Sequence, residues 1–75
     1  MLLSKMIPSA QSLLIFEAAA RHLNFTAAAC ELGSTQSAVS QQMRGLEQRL
    51  NVALFKRIYR GVALTDAGLA LYSQV

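Results

Sequence analysis

The sequence is poor in several features on which common classes of protein depend. Its single cysteine, Cys30, cannot form a disulfide within the chain, which favours a reducing compartment. No run of apolar residues approaches the length of about eighteen that a membrane-spanning helix requires. Pro8 and nearby polar residues interrupt the apolar N-terminus, so we see no signal-peptide pattern. The lone histidine, His22, has no second ligand at metal-binding spacing. We therefore expect a cytoplasmic protein without a metal or a cofactor.

Acidic residues are also scarce. The 75 residues include four Asp and Glu against seven Lys and Arg, which gives a formal net charge of +3. Five of the seven cations lie within seventeen residues, namely Arg44, Arg49, Lys56, Arg57 and Arg60. Such clustering indicates a polyanionic partner more clearly than the net charge does. Because no nucleophile stands with a base, we expect no enzymatic activity.

Apolar residues, in contrast, make up 53% of this short chain. A chain of 75 residues is one small domain, close to the lower limit at which a single core is stable alone. We expect both a dense core and some apolar surface that is reserved for a partner.

Residues 35–50, TQSAVSQQMRGLEQRL, predict the helix around which the chain is organised. Its apolar residues are spaced 4, 3 and 4 apart on one stripe, namely Val39, Met43, Leu46 and Leu50. Thr35 can cap this helix. The opposite face carries polar, mostly uncharged side chains, namely Gln36, Ser37, Ser40, Gln41 and Arg44. Such donors and acceptors suit the base edges of a DNA major groove, and the alternative is an ordinary solvated face.

Two further helices are predicted before this one. Ser9 can cap a helix over residues 10–22, with Leu13, Phe16, Ala20 and Leu23 on one stripe. Leu14 and Ile15 widen that stripe, which indicates a second partner for this helix.

A short helix over residues 27–32 follows, with Thr26 as its cap. Gly33 supplies the left-handed position that ends it, and Thr35 then begins the next helix. Two helices joined by a short turn that contains glycine form a helix-turn-helix pattern, in which the second helix is the reader.

A hairpin and a last helix are predicted after the reader helix. Leu54 and Phe55 begin a strand, residues 58–61 make a turn, and residues 62–64 form the return strand. A two-stranded hairpin after a helix-turn-helix is called a wing. We expect the loop of this wing to carry Lys56, Arg57 and Arg60, placed for phosphates or a minor groove. Thr65 can cap a helix over residues 65–75 whose one face carries Leu69, Tyr72 and Val75. Because that pattern has no stop signal, we expect the chain to be a truncated piece of a longer protein.

Together these segments closely resemble the N-terminal DNA-binding domain of LysR-type transcriptional regulators. The motifs are the AAA-x-x-x-x-FT-x-AA lead-in, the TQSAVSQQ reader, LE-x-x-L and LF-x-R…LT-x-AG, and the resemblance covers about residues 8–75. It implies a mainly α winged helix-turn-helix with a three-helix core, a two-stranded β wing and the start of a C-terminal linker helix. We expect a lead-in over residues 1–8, the winged domain over 9–64 and the linker helix over 65–75. We expect the effector-binding domain that normally follows in the family to be missing from this piece of the protein.

The resemblance also implies roles for individual residues. The positions that contact bases in the family match Gln36, Ser37, Ser40 and Gln41, and many members have an arginine where Gln41 stands. In the family, the arginine that matches Arg57 reaches the minor groove, and the residue that matches Thr65 commonly touches a backbone phosphate. We expect backbone contacts from Thr35, Arg44, Lys56, Arg57, Arg60 and Thr65. We expect dimer contacts from Leu14, Leu69, Tyr72 and Val75.

The partners implied are double-stranded DNA and a second copy of the chain. A tetramer is an alternative for the full-length protein. A small-molecule effector would act only through the missing domain. The alternative from another class is a helical protein-interaction module whose apolar surfaces on the first and last helices are its purpose. Such a module would show little salt dependence in any association with DNA.

Several single residues have simpler interpretations. We expect Cys30 to be a small core residue and His22 to favour the negative end of the first helix. Arg21 should be solvated. Arg44 should meet phosphate, or else pair with Glu47 along the helix. The three phenylalanines should be core residues, namely Phe16, Phe25 and Phe55.

Overall fold

The computed structural model describes residues 9–75, and the predicted lead-in of residues 1–8 lies outside them. Three helices come first: α1 (Ala10–His22), α2 (Phe25–Leu32) and α3 (Gln36–Leu50). A two-stranded sheet of β1 (Phe55–Ile58) and β2 (Gly61–Leu64) follows, and then α4 (Asp66–Tyr72). The predicted winged helix-turn-helix with its three-helix core is confirmed.

Local capping chemistry places α1 and α3 where the sequence predicted them. The Ser9 hydroxyl accepts a hydrogen bond from the Ser12 amide at 3.1 Å, and Thr35 accepts one from Ala38 at 3.1 Å. Such caps satisfy amides that have no partner within the helix. Asn51 ends α3 in the left-handed conformation with a φ of 55°.

The predicted start of α2 was wrong by two residues. Asn24, not Thr26, is its cap, and the Asn24 Oδ1 accepts a hydrogen bond from the Ala27 amide at 2.9 Å. Asn caps a helix at least as well as Thr does, so the helix begins two residues earlier than predicted. Gly33 ends α2 at a φ of 64°, as predicted.

The core lies where the three helices meet the base of the wing. Its largest fully buried side chains are Phe16, Val39, Met43, Leu46 and Leu54. Alanines on α1 and α2 allow those helices to pack closely, namely Ala18, Ala19, Ala20, Ala28 and Ala29. The Phe55 ring joins the sheet to this core, with its centroid 5.5 Å from that of Phe16 and 5.1 Å from that of Phe25. The predicted core role of the three phenylalanines is confirmed.

Two residues that were expected inside the core are exposed. Leu23 is the left-handed C-cap of α1, with a φ of 53° and 42% exposure, because the helix has ended before it. Cys30 follows the buried pair Ala28 and Ala29, and the rotation of the helix turns it to the surface. The core interpretation of Cys30 was therefore wrong.

The wing is an antiparallel hairpin with a two-residue turn. Phe55 pairs with Leu64, Arg57 with Val62 and Ile58 with Gly61. Lys56 and Arg57 therefore lie in β1, and the prediction that they belong to the loop was wrong. Arg60 remains in the turn, at a φ of 63° that non-glycine residues seldom adopt.

Two close backbone approaches fix the wing and α4 on the helices. The Val62 amide donates to the Leu23 carbonyl at 3.2 Å, and a Cβ at Gly61 would lie 2.7 Å from that oxygen. A Cβ at Gly68 would overlap the Leu54 carbonyl oxygen. The last helix is shorter than predicted, because it ends at Tyr72 and leaves Val75 beyond it.

Candidate nucleic-acid interface

The polar face of α3 is presented to solvent as a continuous surface. Val39, Met43 and Leu46 are buried beneath the helix, and Leu50 is half-buried. Gln36, Ser37 and Gln41 are exposed, and Ser40 is half-buried. Because the first turn of α3 contains no acidic residue, the positive end of its dipole is open to an anion.

Arg44 lies on the same face and is not paired with Glu47. Its Nη2 donates to the Ser40 Oγ at 3.2 Å, one turn earlier on the helix. The Glu47 carboxylate instead accepts hydrogen bonds from the backbone of Leu54 and Phe55. Within residues 9–75, Arg44 has no carboxylate within ion-pairing distance, so the ion-pair alternative for Arg44 was wrong.

The two cations of β1 project from opposite faces of the hairpin, because successive residues of a strand alternate. Arg57 shares its face with Phe55 and faces a groove of about 260 Å³ between the wing and α3. Lys56 shares the other face with the exposed Ile58. The groove is lined by Phe25, Ser40, Met43, Arg44, Glu47, Phe55, Arg57 and Val62.

The wing tip combines a cation and an aromatic ring. The Arg60 guanidinium carbon lies 5.1 Å from the centroid of the Tyr59 ring, which is the distance of a cation–π contact. Tyr59 is 85% exposed. The tip therefore presents both a positive charge and a flat surface to solvent.

Thr65 is engaged within the fold. Its hydroxyl donates to the Ala53 carbonyl at 2.6 Å and accepts from the Gly68 amide at 3.1 Å. The predicted helix cap is confirmed. A hydroxyl carries one proton, so a phosphate at this position would compete with Ala53 for it.

The carboxylates of α1 and α2 form ion pairs far along the chain from these cations. Arg21 binds Glu17 at 2.8 Å and Glu31 at 2.7 Å, and the His22 Nε2 lies 2.7 Å from Glu31. Hydrogen bonds from Arg21 and then His22 lower the pKa of Glu31 to about 2, and a hydrogen bond from Arg21 lowers the pKa of Glu17. The same two carboxylates raise the pKa of Arg21.

The sequence interpretation missed this cluster. Arg21 lies on the solvated surface as expected, but its ion pairs with Glu17 and Glu31 were not predicted, and Glu31 was not considered for His22. The spacing of Glu17 and Arg21, four residues apart, is the signal that was available. In contrast, within residues 9–75 no cation of α3 or the wing forms an ion pair.

The residues predicted for a dimer interface differ in their surroundings. Leu14, Leu69 and Val75 are 66%, 62% and 49% exposed. The Tyr72 ring is half-buried and meets the Phe16 ring edge-on, with their centroids 6.4 Å apart. Exposed apolar surface is thus available at Leu14 on α1, at Leu69 on α4 and at Val75 after it.

The part of the chain from Ser9 onward contains no group of three or more His, Cys, Asp and Glu side chains that could hold a metal ion. Over the same residues, no helix is both long and apolar enough to cross a membrane.

A polar reader helix, a wing with unpaired cations and a helix-turn-helix core define a winged helix-turn-helix DNA-binding domain. The chain belongs to the bacterial regulatory helix-turn-helix proteins of the lysR family, whose pattern matches residues 10–69. This is a family of transcriptional regulators, and its DNA-binding domain is what the chain comprises. The predicted LysR-type DNA-binding function is confirmed over the protein-interaction alternative.

Individual relatives are longer than the chain. It is 64% identical over 58 residues to the HTH-type transcriptional regulator BlaA of Proteus vulgaris, which covers 77% of the chain and 20% of the relative. It is 58% identical over 60 residues to a carbapenem-hydrolyzing beta-lactamase transcriptional activator of Enterobacter cloacae, 80% of the chain and 20% of the relative. The chain therefore spans about a fifth of the length of these regulators.

Solved structures of DNA complexes share its fold. The DNA-binding domain of CbnR in complex with DNA superposes with a TM-score of 0.82 at 39% identity, covering 85% of this chain and 74% of that one. The DNA-binding domain of BenM with catB site 1 DNA superposes with a TM-score of 0.83 at 32% identity, covering 88% of this chain and 71% of that one.

Proposed function

We propose that this domain reads double-stranded promoter DNA as a homodimer, with α3 in the major groove and the wing on the backbone and minor groove. One observation carries the proposal: the uncharged polar face of α3 adjoins the cations of α3 and the wing, none of which is neutralised within residues 9–75. Base edges are matched by neutral donors and acceptors, and phosphates by unpaired cations.

In this proposal the residues divide into two groups by their chemistry. The four neutral side chains of α3 contact base edges, namely Gln36, Ser37, Ser40 and Gln41. Gln41 suits adenine, because an amide can donate to and accept from its major-groove edge. The backbone of the DNA is contacted by Thr35, Arg44, Lys56, Arg57, Arg60 and Thr65, among which Arg57 also enters the minor groove.

The test begins by selecting the tightest-binding duplexes from a random library with the 75-residue chain. The enriched sequence is the selected duplex, and a shuffled duplex of the same composition is its control. Affinity for both is then measured over a range of salt concentrations. We expect log affinity to fall against log salt with a slope of about −0.9 for each phosphate contacted, over several contacts. A flat plot, or equal affinity for the two duplexes, contradicts the proposal.

A substitution on α3 tests whether Gln36 contacts a base. Gln36→Ala should cost roughly 1–3 kcal/mol on the selected duplex and little on the shuffled one. Gln48→Ala is the matched control, because Gln48 is an exposed glutamine nearer the other end of the same helix. If both duplexes weaken equally with Gln36→Ala, Gln36 does not read a base.

We further propose that the longer protein is a transcriptional activator of a β-lactamase gene in the cytoplasm, with its effector domain outside this chain. Support comes from the 58% identity to the β-lactamase activator, against 32% to the BenM domain that binds catB site 1 DNA. The chain should therefore prefer the promoter DNA of the β-lactamase activator over catB site 1 DNA. A preference for catB site 1 DNA overturns this assignment.

A further inference from the structure

Glu47 links the reader helix to the wing. One carboxylate oxygen, Oε2, accepts hydrogen bonds from the Leu54 amide at 2.7 Å and the Phe55 amide at 3.1 Å. These amides stand at the entrance to β1, seven and eight residues beyond Glu47 along the chain. Within residues 9–75, they are the side-chain hydrogen bonds that join α3 to the first wing strand.

The position of Glu47 is electrostatically unfavourable for a surface that meets DNA. Its side chain lines the groove between α3 and the wing together with Arg44 and Arg57. Yet it forms an ion pair with neither of them. A carboxylate facing phosphates repels them, so its presence here calls for a compensating role. The two charge-assisted hydrogen bonds to backbone amides supply one.

Among the residues that the structure describes, the other hydrogen bonds that hold the wing in place do not connect it to α3. The Val62 amide ties β2 to the Leu23 carbonyl at the end of α1, and Thr65 ties the start of α4 to Ala53 and Leu54. Neither contact involves α3. Without the Glu47 carboxylate, the β1 side of the wing would be held to the reader helix by packing and by the short loop of residues 51–54 alone.

We propose that Glu47 is a positioning residue, which fixes the wing at one angle to α3 so that Arg57 and the reader face engage adjacent grooves together. The inference rests on the proposed roles of Arg57 and Gln36. Binding by two linked elements gains from their fixed spacing, because the second contact then costs little further ordering. Glu47 itself needs no contact with DNA.

Two conservative variants of Glu47 separate the effect of side-chain length from the effect of charge. Glu47→Gln keeps the length of the side chain and an oxygen that accepts hydrogen bonds, but loses the charge. Glu47→Asp keeps the charge but is one methylene shorter, so it cannot reach both amides. Affinity for the selected duplex should fall about tenfold with Glu47→Asp and stay within about twofold with Glu47→Gln. The reverse order, or tighter binding to every duplex with both variants, overturns the proposal.

A spectroscopic measurement reports on the link without DNA. The amide proton shifts of Leu54 and Phe55 should move upfield in Glu47→Asp and remain near their original values in Glu47→Gln, because hydrogen bonding moves an amide proton downfield. Circular dichroism and thermal unfolding check that both variants are folded. Unmoved amide shifts in a folded Glu47→Asp contradict the link itself.

Double-mutant cycles then test what the link is for. Glu47→Asp should cost less affinity in the Arg57→Ala background than in the wild-type background, since a wing without Arg57 has already lost the main contact that its position serves. In the double variant with Gln36→Ala, the fold-losses of affinity from the two substitutions should multiply, as they do for independent sites. If Glu47→Asp costs the same with and without Arg57, the positioning role is wrong. If Arg57→Ala alone has no effect, the wing role in the proposed function fails instead.

Discussion

At the scale of single residues, two glycines show how differently the same residue type can be used. Gly68 lies where α4 approaches the Leu54 carbonyl, and a Cβ there would overlap that oxygen. Gly45 lies in the middle of α3, and a Cβ there would have no heavy atom within 4 Å. The first glycine is required by packing, whereas nothing within the domain explains the second.

Substitution of each glycine by alanine should therefore have opposite effects on stability. Gly68→Ala should lower the free energy of unfolding by about 1–3 kcal/mol, because backbone must move to make room. Gly45→Ala should raise it by roughly 0.5–1 kcal/mol, because alanine loses less conformational freedom in a helix. Chemical denaturation of both variants measures the two changes. A folded, unaffected Gly68→Ala would contradict the close approach of α4.

The ion-pair cluster between α1 and α2 predicts a dependence of stability on pH. The pKa of Glu31 falls from its ordinary 4.5 to about 2 in the folded protein. A carboxyl group whose folded pKa is depressed stabilises the fold above the unfolded pKa, and this contribution is lost as the pH falls toward the folded value.

The excess stability of the wild type over Glu31→Gln should therefore be present above pH 4.5 and disappear as the pH falls from 4.5 to about 2. Denaturation of both proteins across that range measures it. Asp66→Asn is the control, because Asp66 is an exposed acid outside the cluster. A difference that persists at pH 2 would show that Glu31 acts through packing and not through its charge.

At the scale of secondary-structure elements, the wing directs the two side chains of one basic dipeptide to opposite faces of the hairpin. Arg57 faces the groove beside α3, whereas Lys56 projects from the other face of the hairpin. Arg57→Ala should weaken binding about tenfold more on a duplex with A·T-rich flanks than on one with G·C-rich flanks, because narrow minor grooves attract arginine.

Lys56→Ala is the matched control for this comparison. It should weaken binding to both duplexes alike and reduce the salt slope by about 1, as the loss of one phosphate contact does. Titration of both variants with the two duplexes makes the measurement. Equal losses with Arg57→Ala on both flanks would remove the minor-groove role.

Much of the helical architecture was predictable from the sequence because helix boundaries depend on local chemistry. Ser9, Thr35 and Asn51 bond within three or four residues of their own positions, so spacing alone locates them. The cap of α2 was missed, because Asn24 was not considered and Thr26, two residues later, was taken as the cap.

What the sequence could not show depends on contacts between distant residues. The bond from Arg21 to Glu31 spans ten residues and two helices. The exposure of Cys30 depends on how α2 is rotated against α1, which its run of alanines leaves open. Likewise, the strand position of Lys56 follows from the register of the hairpin, and the turn was predicted at four residues where two suffice.

At the scale of the whole molecule, exposed apolar residues on the first and last helices support the proposed homodimer. Leu69 is 62% exposed, so an aspartate there should leave the core intact while it opposes burial against a second copy. Leu69→Asp should weaken self-association about tenfold or more, measured by sedimentation equilibrium. Val52→Asp, at a 43% exposed valine after α3, should leave it unchanged. Equal effects of the two substitutions would argue against the α4 interface.

The separation of paired and unpaired charge also affects events before any contact is made. Carboxylates on α1 and α2 are gathered around Arg21, while the cations of α3 and the wing stand together without ion pairs in the described part of the chain. Such an arrangement leaves an excess of positive charge on α3 and the wing. The negative potential of a DNA duplex attracts this charge, which turns α3 and the wing toward the duplex during the diffusive approach. Orientation before collision shortens the search for a productive encounter, and added salt suppresses it.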